Sequence, residues 1–263
     1  MNSSASHVKL RQGFSLVEVT LAIGIVGIAI LSLVGILGST FQQVDDIMQT
    51  NRALAGVSRL IGALDNPRSI VYLDSTNQTD LTNQKWLLDN GGSQYAKLTN
   101  GNDTAPNFDI AYRLLAGAKD TSSAVWLYVY ERKIVSFDND KDSTGAYKLS
   151  SNPSVIEVAF CDGNNLTQTA AAARNIIGTP MRVRLSLSKL LVGQRPEIDT
   201  TTLEPKLTRV SAGALTIPAD PVNYALAYLP VVAEFFPHDY SAFATFSTSE
   251  TQPILVQNIV LSR

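Results

Sequence analysis

The hydrophobic positions near the N-terminal end of the chain form one uninterrupted run. No charged residue occurs between Val19 and Val44. The stretch Val19–Gly38 alone matches the ~20 apolar residues that a helix needs to cross the core of a bilayer. This pattern therefore predicts a membrane-spanning helix.

The pattern changes after Phe41 without losing its helical period. Apolar residues continue at spacings of three and four with charged residues between them, which is typical of an amphipathic helix packed on a soluble domain. The sequence Asp65-Asn66-Pro67 supplies the asparagine and proline that end helices, so one helix is predicted over Phe14–Asp65. The apolar stripe of its second half is Val44, Ile47, Met48, Leu54, Val57, Ile61 and Leu64.

Beyond the helix, short apolar segments alternate with polar and proline-containing stretches. Residues 74–109 are rich in Asn, Thr, Gln, Asp and Gly, which predicts a long surface connection pinned by Trp86-Leu87-Leu88. Ile70–Leu73 fits a short strand or a helix end, and Thr169–Ile177 a helical turn or short helix. Gly193–Pro205 reads as a polar loop. The predicted strands are Ile110–Leu115, Val125–Phe137, Ala146–Leu149, Val155–Phe160, Met181–Ser188, Leu207–Ile217, Tyr224–Phe236 and Ile254–Leu261.

These elements predict an α+β fold in which the long N-terminal helix packs on a mainly antiparallel β-sheet head. Pro230 cannot donate a ladder hydrogen bond, so its strand is expected at an edge or a bulge. The organisation predicted is a basic leader over residues 1–13, a membrane helix over 14–65, and an extracytoplasmic head over 66–263.

Charge and composition argue against several functions. The 21 basic and 23 acidic residues give a net charge of −2, and loss of Lys9 and Arg11 with the leader would make it 19 − 23 = −4. A nucleic-acid partner is not expected, because it would require a basic face. An enzyme is not expected either: the sequence has neither a phosphate-binding glycine loop nor a Gly-x-Ser-x-Gly, and its only histidines are His7 and His238. His238 is predicted in a surface turn, and the single Cys161 as a buried, inert thiol.

The front edge of the apolar run is unusual for a simple anchor. A basic leader (His7, Lys9, Arg11) ends at Gly13, Phe14 follows, and the lone carboxylate of Glu18 lies inside the apolar flank. Lys9 and Arg11 are expected to hold the N-terminus in the cytoplasm, with the rest of the chain facing outward. A plain signal anchor whose Glu18 reaches the headgroups is the alternative reading.

The stretch from Gly13 to Val26, GFSLVEVTLAIGIV, resembles the prepilin-type cleavage and methylation motif of type IV pilins and type II secretion pseudopilins. The resemblance implies that prepilin peptidase cuts after Gly13 and methylates the new amine of Phe14. It also implies that Glu18 helps subunits register in a filament. The residues Val17–Gly24 of the motif, VEVTLAIG, and the large downstream domain are further similar to a pilin-like "cassette protein B" family.

One acidic loop is a candidate for metal binding. Asp138, Asp140 and Asp142 stand at alternate positions, a spacing with which a tight loop turns carboxylates onto a calcium ion. Some pseudopilins bind calcium in loops. The EF-hand pattern, however, needs glycine at its sixth position and glutamate at its twelfth, where this chain has Ser143 and Leu149. A solvated hairpin turn without metal is therefore the favoured interpretation, and no other cofactor is expected.

The sequence as a whole predicts a minor pilin or pseudopilin, a structural subunit of a type IV pilus or a type II secretion-like filament. Its expected partners are prepilin peptidase, other pilin or pseudopilin subunits and the lipid of the inner membrane. The expected location is a single pass through that membrane, with the head periplasmic or extracellular. The alternative is a membrane-anchored extracytoplasmic binding module that does not polymerise. Gly13 and Glu18 separate the two, because a tether needs neither.

Overall fold

The computed structural model describes residues 15–74, 78–81, 85–87, 105–120, 122–134, 154–161, 166–211, 213–238, 240 and 252–263. Two compact units divide the chain, residues 1–48 and residues 49–263. The first helix, α1, runs from Leu16 to Asp65 and contributes to both units. The prediction of one long N-terminal helix is confirmed from Leu16 onward, and its end at Asp65 is the predicted one.

In the first unit, every described residue of α1 is exposed. This part is long and apolar enough to cross a membrane by its length and composition, with a mean hydropathy of 2.6 over its most apolar window. Its hydroxyl side chains bond to the helix itself: Thr20 donates to the carbonyl of Leu16 at 2.8 Å, and Thr40 donates to that of Ile36 at 2.9 Å. Such bonds satisfy polar groups that lipid cannot.

The second unit is built on a seven-stranded sheet and a separate two-stranded one. The strands are β1 (Val71–Leu73), β2 (Lys85–Trp86), β3 (Val125–Lys133), β4 (Ser154–Cys161), β5 (Ile176–Leu187), β6 (Gln194–Ile198), β7 (Pro205–Arg209), β8 (Tyr228–Pro237) and β9 (Leu255–Ser262). The order of the large sheet is β2-β1-β4-β3-β5-β8-β9. Its pairs are antiparallel apart from β1 and β4, which run parallel, so the predicted α+β fold with a mostly antiparallel sheet is confirmed.

The part of α1 in the second unit packs on the sheet through small residues and leucines. Its buried residues are Ala53, Gly56, Leu60, Ala63 and Leu64. The predicted apolar stripe is therefore wrong in part: Leu54 is 52% exposed, and Ala53 and Gly56 take the inward positions. A small side chain lets the helix axis approach the sheet closely. The spacing of large apolar residues does not predict which small residues are buried in this way.

Two further predictions are wrong. Ile110–Leu115 is not a strand but the end of helix α2, which runs from Asn107 to Leu115. Gly193–Pro205 is not a loop, because it contains β6, which pairs antiparallel with β7 in the two-stranded sheet. The predicted strand over Leu207–Ile217 shrinks to β7, which ends at Arg209. The short helix predicted over Thr169–Ile177 is confirmed as helix α3, which runs from Gln168 to Ala173, while Ile176 and Ile177 belong to the next strand.

The position of Pro230 also corrects the sequence analysis. β8 is an inner strand between β5 and β9, not an edge. The last pair of the β5–β8 ladder is Leu187 with Val231, so Pro230 lies just beyond it. Its carbonyl still accepts from the N–H of Ser188 at 2.9 Å. The N–H that proline lacks would therefore point to a position where β5 has already ended. The β5–β8 ladder loses no hydrogen bond.

The sheet separates two hydrophobic clusters. The larger one contains the buried residues of α1, including Leu60, packed with Val129, Val183 and Phe235 of the strands. The smaller one lies on the opposite face, where Tyr128 and Tyr130 alternate with Val129 along β3. That second face also carries the charged side chains described next.

Candidate functional site

The candidate site in the first unit is the front of α1. Glu18 lies in the first turn of the helix and is exposed. The Ser15 hydroxyl accepts from the N–H of Val17 at 3.2 Å, and the Ser15 carbonyl accepts from the N–H of Glu18 at 3.0 Å. The side chain of Glu18 makes no hydrogen bond or ion pair with any described residue. An acid in an apolar helix is costly without a partner.

Two of the sequence-predicted sites lie outside the described residues. These are the processing pair, Gly13 and Phe14, and the calcium candidates, Asp138, Asp140 and Asp142. Among the residues that the structure does describe, no group of three or more His, Cys, Asp or Glu side chains could hold a metal ion. The calcium hypothesis therefore stays a prediction.

Sequence reasoning missed a buried charged cluster on the second face of the sheet, here called the Glu157 cluster: Glu157, Arg132, Tyr130 and Arg174. Arg132 donates to Glu157 through Nη2 at 2.7 Å, and the hydroxyl of Tyr130 donates to the other carboxylate oxygen at 3.2 Å. Arg174, which is fully buried, donates from Nε to the hydroxyl of Tyr130 at 3.3 Å. Hydrogen bonds to charged groups of this kind are about twice as strong as neutral ones.

The environment of the Glu157 cluster is set by burial. Burial raises the pKa of the Tyr130 hydroxyl far above its ordinary value, so this group stays protonated and donates. The hydrogen bond to Glu157 is the main cause that raises the pKa of Arg132. The cluster pins β3, β4 and the end of α3 together.

His238 occupies a different environment from the predicted surface turn. It is 1% exposed, its Nδ1 lies 2.9 Å from Nη2 of Arg182, and its Nε2 lies 2.7 Å from the carbonyl of Leu166. Because a guanidinium only donates, Nδ1 must accept, and Nε2 carries the proton that the carbonyl accepts. The geometry therefore selects the neutral imidazole. The predicted surface position is wrong, because the contacts that bury His238 come from Arg182 and Leu166, 56 and 72 positions away in the sequence.

A second ion pair on the same face lies under aromatic rings. Arg184 donates from Nε to Glu234 at 2.6 Å. Its guanidinium carbon lies 5.8 Å from the ring centre of Trp126 and 5.3 Å from that of Phe236. Cation–π contacts and a short ion pair together fix the neighbouring strands β3, β5 and β8. The alternating pattern of β5 predicted that this face is wet, whereas Arg182 and Arg184 are buried.

Two further features complete the candidates. Cys161 is a free thiol that is half-buried rather than buried, with its Sγ 3.9 Å from Nε2 of Gln78. A cleft of about 370 Å³ lies at the start of α2, lined among others by Asp65, Asp109 and Arg263.

Comparisons of the chain with protein-family models, with curated proteins and with solved structures found no match.

Proposed function

We propose that this protein is a minor pilin or pseudopilin, a structural subunit of a type IV pilus or a type II secretion-like filament. The observation that carries the proposal is the composition of the front part of α1: residues 16–44 are exposed and apolar, and their one charged residue is Glu18 in the first turn. The same helix continues to Asp65 and supplies buried residues to the second unit.

The acid is the feature that a simple anchor does not explain. A charged side chain at the centre of a bilayer costs about 2.5–3.5 kcal/mol on insertion scales and less near an end, so such acids face partners inside an assembly. Cleavage after Gly13 would create a cationic amine on Phe14, four residues from Glu18. That amine, in the same chain or in a neighbouring subunit, is the partner we propose.

The continuity of α1 supports a structural role. Residues Ala53, Gly56 and Leu60 are buried in the core of the second unit. A helix that is part of the core transmits force from an assembly to the folded domain, whereas a tether can be joined by any linker. The prepilin-like motif on the N-terminal side of the helix supports the same reading.

The proposal includes a location and partners. The N-terminus lies in the cytoplasm, because Lys9 and Arg11 resist translocation, and the C-terminal domain is periplasmic or extracellular. Prepilin peptidase, other pilin or pseudopilin subunits and the lipid of the inner membrane are the partners. A nucleic-acid partner and an enzymatic activity are not part of it.

The experiment that tests the proposal is intact mass spectrometry of the protein isolated from membranes. We expect loss of Met1–Gly13 and one added methyl group on Phe14. Gly13→Leu should leave the precursor uncut but still inserted. Gly24→Leu is the matched control, since the position of the Gly24 Cβ has no heavy atom within 4 Å, and this variant should be cut normally.

Other outcomes identify the competing functions. A mature protein that begins at Met1 would favour the membrane-anchored binding module. A mature protein that begins after Gly38 would indicate a secreted domain, because the apolar helix would have been removed. Either result overturns the pilin proposal.

A further inference from the structure

We propose that the outer edge of β9 is a self-association site, at which the β9 strand of a second copy of this chain pairs antiparallel with Asn258 opposite Asn258. The two sheets would then continue into each other. This inference does not depend on the proposed filament function, because it involves only residues of the second unit.

The first observation is the direction of the backbone groups of β9. The N–H of Arg263 donates to the carbonyl of Ala227 at 2.8 Å, and Ser262 stands opposite Tyr228 in the register. In an antiparallel ladder, hydrogen-bonded and non-bonded pairs alternate. The odd-numbered residues of β9 therefore bond to β8, and the even-numbered residues direct their N–H and C=O groups away from it: Val256, Asn258, Val260 and Ser262.

The second observation is that this edge is long and uncharged. In the part of the chain that the structure describes, β9 is the last strand of the seven-stranded sheet and pairs with β8 alone. Its sequence, LVQNIVLS, contains no lysine, no other charge and no proline. Those are the devices by which proteins keep an edge strand from pairing with another chain. The opposite edge is protected differently, because β2 is only two residues long.

The third observation is the exposure of the side chains along the edge. Val256 is 52% exposed and Val260 is 61% exposed, and Tyr228 of the adjacent strand is 44% exposed beside them. Ile259 and Leu261, which point to the opposite face, are buried in the core. Burial of one face fixes the register of β9. The same even-numbered residues therefore always direct their backbone groups to the outer edge.

A second copy of the chain is proposed as the partner because the residues along the edge of β9 are complementary to themselves. Antiparallel pairing of β9 with itself, with Asn258 opposite Asn258, places Val256 opposite Val260 on both sides of a two-fold axis. Shifting the register by two residues in either direction sets valine against asparagine or serine. No like charges meet in the symmetric pair, because neither strand carries a charge. The same surface thus serves both partners, as an isologous interface requires.

The test is thiol cross-linking of the full chain in mild detergent, in a Cys161→Ser background with a short bis-maleimide. Opposed residues of an antiparallel pair have Cα atoms about 4.5–5.5 Å apart, so Asn258→Cys should form a covalent dimer. Ser262→Cys is the matched control. It lies on the same edge, but the two copies of residue 262 would be eight residues apart along the pair, or about 27 Å at 3.4 Å per residue, and should not cross-link.

A proline variant tests whether the outward backbone groups are used. Val260→Pro, added to Asn258→Cys, removes an N–H that points away from β8, so the cross-linked dimer should be lost. Val260→Thr keeps the N–H and the β-branched shape, and should retain the dimer. Unchanged thermal unfolding of both variants shows that the fold survives. If Val260→Pro unfolds the domain, Val260→Lys replaces it, because the symmetric pair would set this lysine opposite Val256 of the other copy, and an edge lysine is one of the devices that prevent strand pairing.

Three outcomes would overturn the proposal. Cross-linking at positions 258 and 262 to the same extent would indicate collision or a contact made elsewhere. Absence of a dimer at position 258 would show that the edge stays open. A cross-linked product with the mass of a different protein would assign the edge to another partner.

Discussion

Gly56 of α1 lies so close to Val129 of β3 that a Cβ added to the glycine would stand 3.2 Å from Cγ1 of the valine. The same Cβ would lie 3.5 Å from Cε1 of Phe235 on β8. Gly56 is thus the point where the helix approaches the sheet most closely among its glycines. Glycine lowers the stability of a helix relative to alanine, and at this position it allows close packing of the helix on the sheet.

The first prediction follows from this contact. Gly56→Val should lower the free energy of unfolding by about 1–3 kcal/mol, because overpacking forces the helix or β3 to shift. Gly62→Ala is the matched control in the same helix. It has no heavy atom within 4 Å of the added Cβ and should raise stability by up to about 1 kcal/mol through helix propensity. Urea unfolding followed by the fluorescence of Trp86 and Trp126 measures both; equal effects would contradict the close approach.

The second prediction concerns the Glu157 cluster. Glu157→Gln should lower the free energy of unfolding by about 1.5–3 kcal/mol, because the charge-assisted bonds from Arg132 and Tyr130 are replaced by weaker ones at a buried position. Glu204→Gln, on the exposed turn before β7, should change it by less than about 0.5 kcal/mol. Denaturant unfolding of the two variants in parallel measures both changes. If Glu157→Gln leaves the free energy of unfolding unchanged, the charge of Glu157 contributes nothing to stability.

These buried charges show where sequence reasoning stops. Glu157 is the one charged residue of β4 and interrupts a continuous apolar run, so the sequence gives no sign of which residues cover its side chain. Its burial depends on Arg174, whose hydrogen bond to Tyr130 joins residues 44 positions apart. Periodicity gives the side of the strand that a residue occupies, but not which residues from distant elements will cover that side.

The elements were predicted well where the pattern was long and poorly where it was short. The helix over 16–65 followed from fifty residues of consistent pattern and from Asn66-Pro67 at its end. The run Ile110–Leu115 was too short to separate a buried strand from a buried helix. Strands β6 and β7 lack an apolar alternation and carry charged residues instead. Lys206 of β7 lies 3.8 Å from Glu197 of β6 and forms a closer ion pair, at 2.9 Å, with Asp199 just after β6.

The third prediction concerns that ion pair. The hydrogen bond from Lys206, followed by those from the N–H groups of Thr201 and Thr202, lowers the pKa of Asp199 from 3.8 to about 2. Because the folded-state pKa is lowered, the contribution of Asp199 to stability is complete above pH 3.8 and is lost as the pH falls through 2. An NMR titration of the carboxyl carbon should give this value directly.

Lys206→Gln removes the largest cause of the shift and should raise the pKa of Asp199 toward 3.8. Asp120 is the internal control in the same titration. Its pKa is lowered to about 2 by Ser122 and Ser123, which Lys206 does not contact, so it should not move. A pKa of Asp199 that stays near 2 in Lys206→Gln would assign the shift to the turn backbone alone.

The last prediction concerns Glu18 and separates assembly from anchoring. Glu18→Ala removes an acid from the apolar helix, so membrane insertion should be kept or improved. Co-purification of other subunits with a tagged chain should fall, because the carboxylate that we propose as the partner of the Phe14 amine is gone. Thr20→Ala is the matched control two residues away. The Thr20 hydroxyl donates to the carbonyl of Leu16 in its own helix at 2.8 Å, so its removal should leave assembly unchanged. If Glu18→Ala and Thr20→Ala co-purify the same partners in the same amounts, Glu18 has no role in assembly and α1 is a tether.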